Sequence, residues 1–248
     1  MKLFGNKSEF AIEYGHITEF YPEAYPGRPD LDDEFDYWVS FWVKGKNLFE
    51  SNRIEGVIDT YWYDLNLLIE FFCEGLPFQL QWDPVPAKGV HTKNHHDANI
   101  LVRLATFLDQ EDYDDIQEED NDFLDCVDFN LYQIQPAEIS EQIEWGYHHK
   151  LITARQASFL PNVVIARHYT DPNKIEICYQ SAGMVYTDQY DYKYEFTHPT
   201  GVALVDIKLY KQVIVDFCLD FINCHKNKHP KRMGEYMEKL KIAMTIEV

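Results

Sequence analysis

The sequence predicts an α+β fold, with antiparallel sheet segments and amphipathic helices packed on one face. Three observations carry this. Apolar and polar residues alternate with period two, as in Phe10, Ile12 and Tyr14 and again in Tyr190, Tyr192, Tyr194 and Phe196. Two turn signatures, Lys44-Gly45-Lys46-Asn47 and Asp171-Pro172-Asn173, separate apolar runs as hairpins require. The apolar spacing then switches to a helical period twice, once after each group of strands.

Taken in order, Ser8–Ile17 reads as a half-buried strand, with Ala11 and Glu13 between its apolar positions. A loop rich in proline and acid runs from Tyr21 to Asp36. Tyr37–Val43 is aromatic and β-branched and turns back into Leu48-Phe49. Asp59–Glu74 reads as a helix. Tyr61, Trp62, Leu65, Leu68, Ile69 and Phe72 share one face, Asp59, Asn66, Glu70 and Glu74 lie opposite, and Gly75 and Pro77 mark its end. Asp83-Pro84-Val85-Pro86 is a rigid turn, Asp97 caps a helix to Leu108, Val127–Ile134 is a strand, and Pro136 opens a short helix carrying Ile139, Ile143 and Trp145. Val163–Tyr169 and Lys174–Tyr179 form a hairpin. Helices follow at Asp206–Cys224 and from Pro230 to Met244, the latter with Met233, Met237, Leu240 and Met244 as its inner stripe.

The organisation expected is one globular unit over residues 1–248. Within it, pseudo-halves at 1–90 and 160–248 are joined by a helical, acidic middle and divide near 83–96 or 135–160. Gly56-Val57 leading to Phe72-Cys73, and Gly201-Val202 leading to Phe217-Cys218, share a loose pattern that either a worn duplication or chance produces.

Composition excludes several functions. The 248 residues include 42 acidic and 22 basic side chains, an excess of 20 negative charges, with 46% hydrophobic residues to build a core. Such a chain buries roughly 70–75% of its extended surface. Its field repels phosphate, so it is neither a direct nucleic-acid binder nor a binder of anionic membranes. The start, Met1-Lys2-Leu3-Phe4-Gly5-Asn6-Lys7, lacks the apolar stretch of a signal peptide, and even Leu65–Cys73 is interrupted by Asn66 and Glu70. Cys73, Cys126, Cys178, Cys218 and Cys224 are scattered without a CxxC, as reduced, buried thiols of a cytoplasmic protein would be.

Chemical motifs are sparse. His91-Thr92-Lys93-Asn94-His95-His96-Asp97 offers metal-ligand types, but adjacent His95 and His96 point apart and nothing completes a shell. His148-His149 has the same defect. There is no GxSxG, GxxxxGK[ST] or GxGxxG, and no DxDxDG loop for calcium. No cofactor and no metal are expected, and the chain reads as a non-enzyme. A metal-dependent hydrolase using the His91–Asp97 cluster is the alternative from another class, and a non-inhibitory acidic adaptor is the third.

The feature that points to function is the run Asp109–Asp128, with eleven carboxylates and no Lys, Arg or His. A charge run is commonly a solvated face. Here Tyr113, Ile116, Phe123 and Leu124 are interleaved, and apolar anchors among charges suit recognition. A second acidic segment, Asp30, Asp32, Asp33, Glu34 and Asp36, abuts Tyr37-Trp38. Such a field fits a strongly basic partner of the nuclease type.

Phe4-Gly5-Asn6-Lys7-Ser8-Glu9-Phe10-Ala11-Ile12-Glu13-Tyr14, then Tyr37-Trp38-Val39-Ser40-Phe41-Trp42-Val43-Lys44-Gly45, then an amphipathic helix, resembles the opening of bacterial immunity proteins. These are the cytoplasmic inhibitors encoded beside polymorphic or contact-dependent growth-inhibition toxins. The likeness covers about residues 3–75. It implies no enzymatic activity and one dedicated toxin partner, bound tightly. The expected toxin-binding residues are Asp112, Tyr113, Asp114, Asp115, Glu118, Glu119, Asp120 and Phe123. The acidic entrance at Asp30–Asp36 and the aromatic face near Tyr190–Tyr194 are the competing surfaces.

Overall fold

Turn chemistry dictates the opening of the chain. β1 (Lys2–Asn6) and β2 (Phe10–His16) pair antiparallel, Lys2 against Tyr14 and Asn6 against Phe10. Asn6 Oδ1 accepts from the Ser8 N–H and hydroxyl, both at 2.9 Å, which closes the turn. β3 (Asp36–Val43) lies against β2, and Lys44-Gly45 carries it back into β4 (Lys46–Asn47). Both turn residues have positive φ, 50° and 80°, the requirement of a two-residue hairpin turn. Asn47 then fixes the reversal from inside. Its Oδ1 accepts from the N–H groups of Phe41 (3.1 Å) and Phe49 (3.2 Å), and its Nδ2 donates to Ser40 Oγ at 3.2 Å.

The computed structural model describes residues 1–16, 36–53, 56–58, 61–81, 148–151, 162–168, 171–180, 185–187, 193–198 and 201–248. The remaining elements are β5 (Ser51–Arg53), β6 (Gly56–Ile58), β7 (Tyr61–Asp64), α1 (Leu65–Leu80), β8 (Asn162–Arg167), β9 (Lys174–Gln180), β10 (Val185–Thr187), β11 (Lys193–Phe196), β12 (Gly201–Asp206), α2 (Ile207–His225) and α3 (Pro230–Thr245). They form an α+β fold. One sheet runs β1-β2-β3-β4, with β7 also on β3; a second runs β10-β11-β5-β6; a third runs β12-β9-β8; every ladder is antiparallel. The second sheet pairs β5, from early in the chain, with β11, from late in it.

One apolar core joins the first and third sheets to the helices. Its centre is a relay of rings: Phe10 to Phe41 at 5.4 Å, Phe41 to Phe72 at 6.4 Å, Phe72 to Phe217 at 6.3 Å, and Phe217 to Tyr14 at 5.4 Å. Such pairs add about 0.5–1.5 kcal/mol each beyond area burial. The two Phe-Cys pairs of the sequence pattern therefore meet across α1 and α2. Their surroundings differ, because β7 intervenes between β6 and α1 whereas β12 runs straight into α2.

Several sequence expectations need correction. Residues 61–64 form a strand, not the first turn of a helix. Aromatic residues suit an edge place beside Tyr37, Trp38 and Val39, and a short apolar run carries no periodicity that separates the two states. At its other end α1 passes through Gly75 and Pro77 to Leu80. Gly75 is needed in mid-helix for closeness, since a Cβ there would overlap the carbonyl oxygen of His148. Glu13 is not on an open face: it is 4% exposed and paired with Lys7 at 2.5 Å and with Trp42 Nε1 at 3.2 Å. Lys7 Nζ also lies 4.5 Å from the Trp42 ring centre, so the cation covers the carboxylate and the indole together. β1, missed in the sequence, occupies the basic start. Cys224 is exposed, against the expectation of buried thiols; Cys73, Cys178 and Cys218 are buried.

Other expectations hold. Asp206 caps α2, its Oδ1 accepting from the N–H groups of Lys208 (3.0 Å) and Leu209 (3.3 Å), and Pro230 opens α3. The Asp171–Asn173 turn joins β8 to β9, with Asn173 N–H on Asp171 Oδ1 at 3.0 Å. The expected helix 97–108, strand 127–134 and helix from 136 lie outside the described residues, as do Tyr190 and Tyr192. Among the described residues no helix is long and apolar enough to cross a membrane.

Candidate functional site

Asp112, Tyr113, Asp114, Asp115, Glu118, Glu119, Asp120 and Phe123 lie outside the described residues, and so does the His91–Asp97 cluster. What the structure defines is the pair of points that flank that segment. The described chain stops at Gln81 and resumes at His148, and these two points are fastened to each other. Gln79 Nε2 donates to the His148 carbonyl at 2.7 Å, and the Phe78 and His148 rings stack at 3.7 Å. The glycine at 75 lets the His148 carbonyl approach the helix. The returning chain is then held by Leu151 N–H on Val163 O at 2.8 Å and by His149 Nδ1, 2.7 Å from Ile165 O.

The fastening is braced from behind. Tyr210 donates to Gln79 Oε1 at 2.6 Å, and both side chains have no exposure. One glutamine amide thus uses its acceptor on α2 and its donor on His148, which satisfies a buried polar group that would otherwise cost about 1–3 kcal/mol. Arg167 Nη1 closes the helix end by donating to Leu80 O at 3.1 Å.

Between these two points, residues 82–147 carry sixteen carboxylates against three Lys or Arg. That segment holds 13 of the 20 excess negative charges of the chain. The contacts Phe72–Phe217 and Gln79–Tyr210 show that α1 and α2 run antiparallel, so the root lies where α1 ends and α2 begins.

The opposite end of the helical layer, about 24 Å away along the sixteen residues of α1, is built differently. Residues 221–234, which join α2 to α3 there, carry four Lys or Arg and no Asp or Glu. No carboxylate stands between Asp220 and Glu235, while Lys226, Lys228, Lys231 and Arg232 are exposed in that interval. Beside them, Asp220 on α2 accepts from the Tyr14 hydroxyl and from Lys2 Nζ, the latter at 2.6 Å. Lys2 Nζ also donates to Cys224 Sγ at 3.4 Å, and Tyr37 Oη lies 3.4 Å from His225 Nε2, whose ring stacks on Phe221 at 4.2 Å. Burial, reinforced by Asp220, pushes the Tyr14 hydroxyl far above its ordinary range. For Lys2 burial works downward, but the bond to Asp220 and its charge prevail and raise it.

Sequence reading missed this cluster. The partners lie 188 to 222 residues apart, and the one local signal is the spacing of four between Asp220 and Cys224 and between Phe221 and His225 on one helix. Among the described residues no group of three or more His, Cys, Asp or Glu is arranged to hold a metal ion. Comparison with known proteins finds no matching family, no matching curated protein and no matching solved structure.

Proposed function

We propose that this chain is an immunity protein, a cytoplasmic, non-enzymatic inhibitor that binds and neutralises a cognate bacterial toxin of basic, nuclease type. The observation that best supports this is the distribution of charge on the frame. Thirteen of twenty excess negative charges belong to one segment, and the core holds both ends of that segment at a single point through Gln79 and His148. The field of such a segment accelerates encounter with a basic surface. Nucleases grip phosphate through clusters of Lys and Arg, and carboxylates at Asp112, Asp114, Asp115, Glu118, Glu119 and Asp120 are complementary to them. Tyr113 and Phe123 then supply anchors that slow dissociation.

The test is protection. The expected outcome is that a neighbouring gene encodes a basic toxin domain that arrests growth when expressed alone, that co-expression of the wild-type chain restores growth, and that the two proteins co-purify as a complex. Failure of the wild-type chain both to protect and to bind overturns the reading.

A further inference from the structure

The two Phe-Cys pairs of the sequence pattern bring two thiols together as well as two rings. Cys73 on α1 and Cys218 on α2 are both without exposure and belong to the same core cluster. The residues before them draw the helices close, since the Phe72 and Phe217 rings meet edge to face at 6.3 Å. A hydrogen bond joins the two thiols themselves. A disulfide needs its sulfurs at roughly 2 Å and its Cα atoms within about 7 Å, and thiols in contact across two packed helices approach that geometry. The other described cysteines are placed differently: Cys178 lies 3.6 Å from Glu176 on β9, and Cys224 is exposed. Burial pushes the Cys218 thiol well above its ordinary range, and the bond to Cys73 adds to this. The closed core therefore shields the pair, and reagents reach it when α1 and α2 part.

We propose that Cys73 and Cys218 are a latent redox pair that closes to a disulfide between α1 and α2, with a small-molecule disulfide of the glutathione class as oxidant. In the opened molecule one cysteine gives its proton to water, and its thiolate attacks a sulfur of the small disulfide. The S–S bond of the reagent breaks, a mixed disulfide forms, and one small thiolate leaves. The second cysteine, deprotonated in the same way, attacks the protein sulfur of the mixed disulfide and expels the second small thiolate. Both leaving groups take up protons. Two cysteine thiols are thus oxidised by two electrons, and one small disulfide is reduced to two thiols. The new bond closes a loop that contains the whole of residues 82–147, and it bolts together the two helices that carry Gln79 and Tyr210. In a reducing compartment the pair stays open, and an oxidising one closes it. The inference does not depend on the toxin reading.

The test equilibrates the full chain with glutathione buffers of rising disulfide content, in urea below the unfolding transition so that the helices open transiently. Remaining thiols are then alkylated and the chain is mapped by peptide mass. The expected product has lost two hydrogens, carries no bound glutathione, and links the Cys73 peptide to the Cys218 peptide. Its thermal midpoint without urea lies about 5–15 °C above that of the reduced chain. Cys73→Ala and Cys218→Ala each remove the link and the rise, whereas Cys224→Ser keeps both. Where an alanine variant does not fold, the map of the wild-type chain decides alone. A first disulfide that involves Cys126, Cys178 or Cys224 overturns the proposal, as do thiols that stay reduced or stop at glutathione adducts. A Cys73–Cys218 link that leaves the midpoint unchanged or lower also overturns it.

Discussion

The two ends of the helical layer handle polar groups in opposite ways. At the root of the acidic segment, Gln79 and Tyr210 are neutral, without exposure, and bonded to one another and to the His148 carbonyl. At the far end, Lys2 and Asp220 carry full charges, with side chains 46% and 28% exposed. A buried neutral brace gains from every bond because water cannot replace a lost partner. A half-exposed ion pair gains little, since solvent screens it, but its groups stay within reach of reagents and partners. The first end is thus held by buried neutral bonds and the second by charges that solvent screens.

The largest break in this comparison should come from Gln79→Ala. It leaves the Tyr210 hydroxyl and the His148 carbonyl without their partner and opens a small cavity, an expected loss of about 3–4 kcal/mol by urea unfolding. Gly75→Ala should cost about 2 kcal/mol or more, because a Cβ there drives His148 off the helix. Asp220→Asn keeps an acceptor for Tyr14 and should cost only about 1 kcal/mol. If Asp220→Asn proves as costly as Gln79→Ala, the distinction between the two ends fails.

A pH titration sharpens the comparison. The folded-state values of Tyr14 and Lys2 are raised, so their stabilising contribution is complete below their unfolded values, near pH 10, and is lost as pH rises toward the folded values. Stability should therefore fall steeply above about pH 10, by up to about 1.4 kcal/mol per pH unit through Tyr14, with a much smaller share from Lys2, which solvent screens. Tyr14→Phe should make that fall shallower, and should also lower the midpoint at pH 7, where the bond to Asp220 is fully made. An unchanged alkaline slope in Tyr14→Phe would show that Tyr14 titrates normally.

The smallest effect belongs to Lys239→Met. Its ion pair with Glu74 joins α3 to α1 on a surface where the lysine side chain is 42% exposed. The bond to Glu74 raises the lysine, yet the loss should be no more than about 1 kcal/mol and should vanish at high salt.

Much of this architecture is legible in the sequence, and the failures have physical causes. Asp206 and Pro230 announce their helices because capping is local chemistry, and Lys44-Gly45 announces a hairpin because both residues must adopt positive φ. Gly75 misleads. Its lack of a side chain serves an approach by His148, 73 residues later, which no local pattern records. Tyr61–Asp64 misleads because its strand exists to pair with β3. Glu13 reads as an outward residue until Lys7 and Trp42 close over it. Of the candidate site, the acidic run is visible as composition, whereas the fastening at its root depends on Gln79, Tyr210 and His148 meeting across the fold.

The central claim, that the acidic segment recognises a basic toxin while the core merely holds it, is tested most directly by association kinetics. The variant converts Asp112, Asp114, Asp115, Glu118, Glu119 and Asp120 to their amides, and its association rate with the toxin proposed as its partner is followed against salt. The account predicts association slowed about ten-fold or more at low salt, a flatter salt dependence, and a thermal midpoint no lower than wild type. A low-salt association rate equal to that of wild type would contradict it.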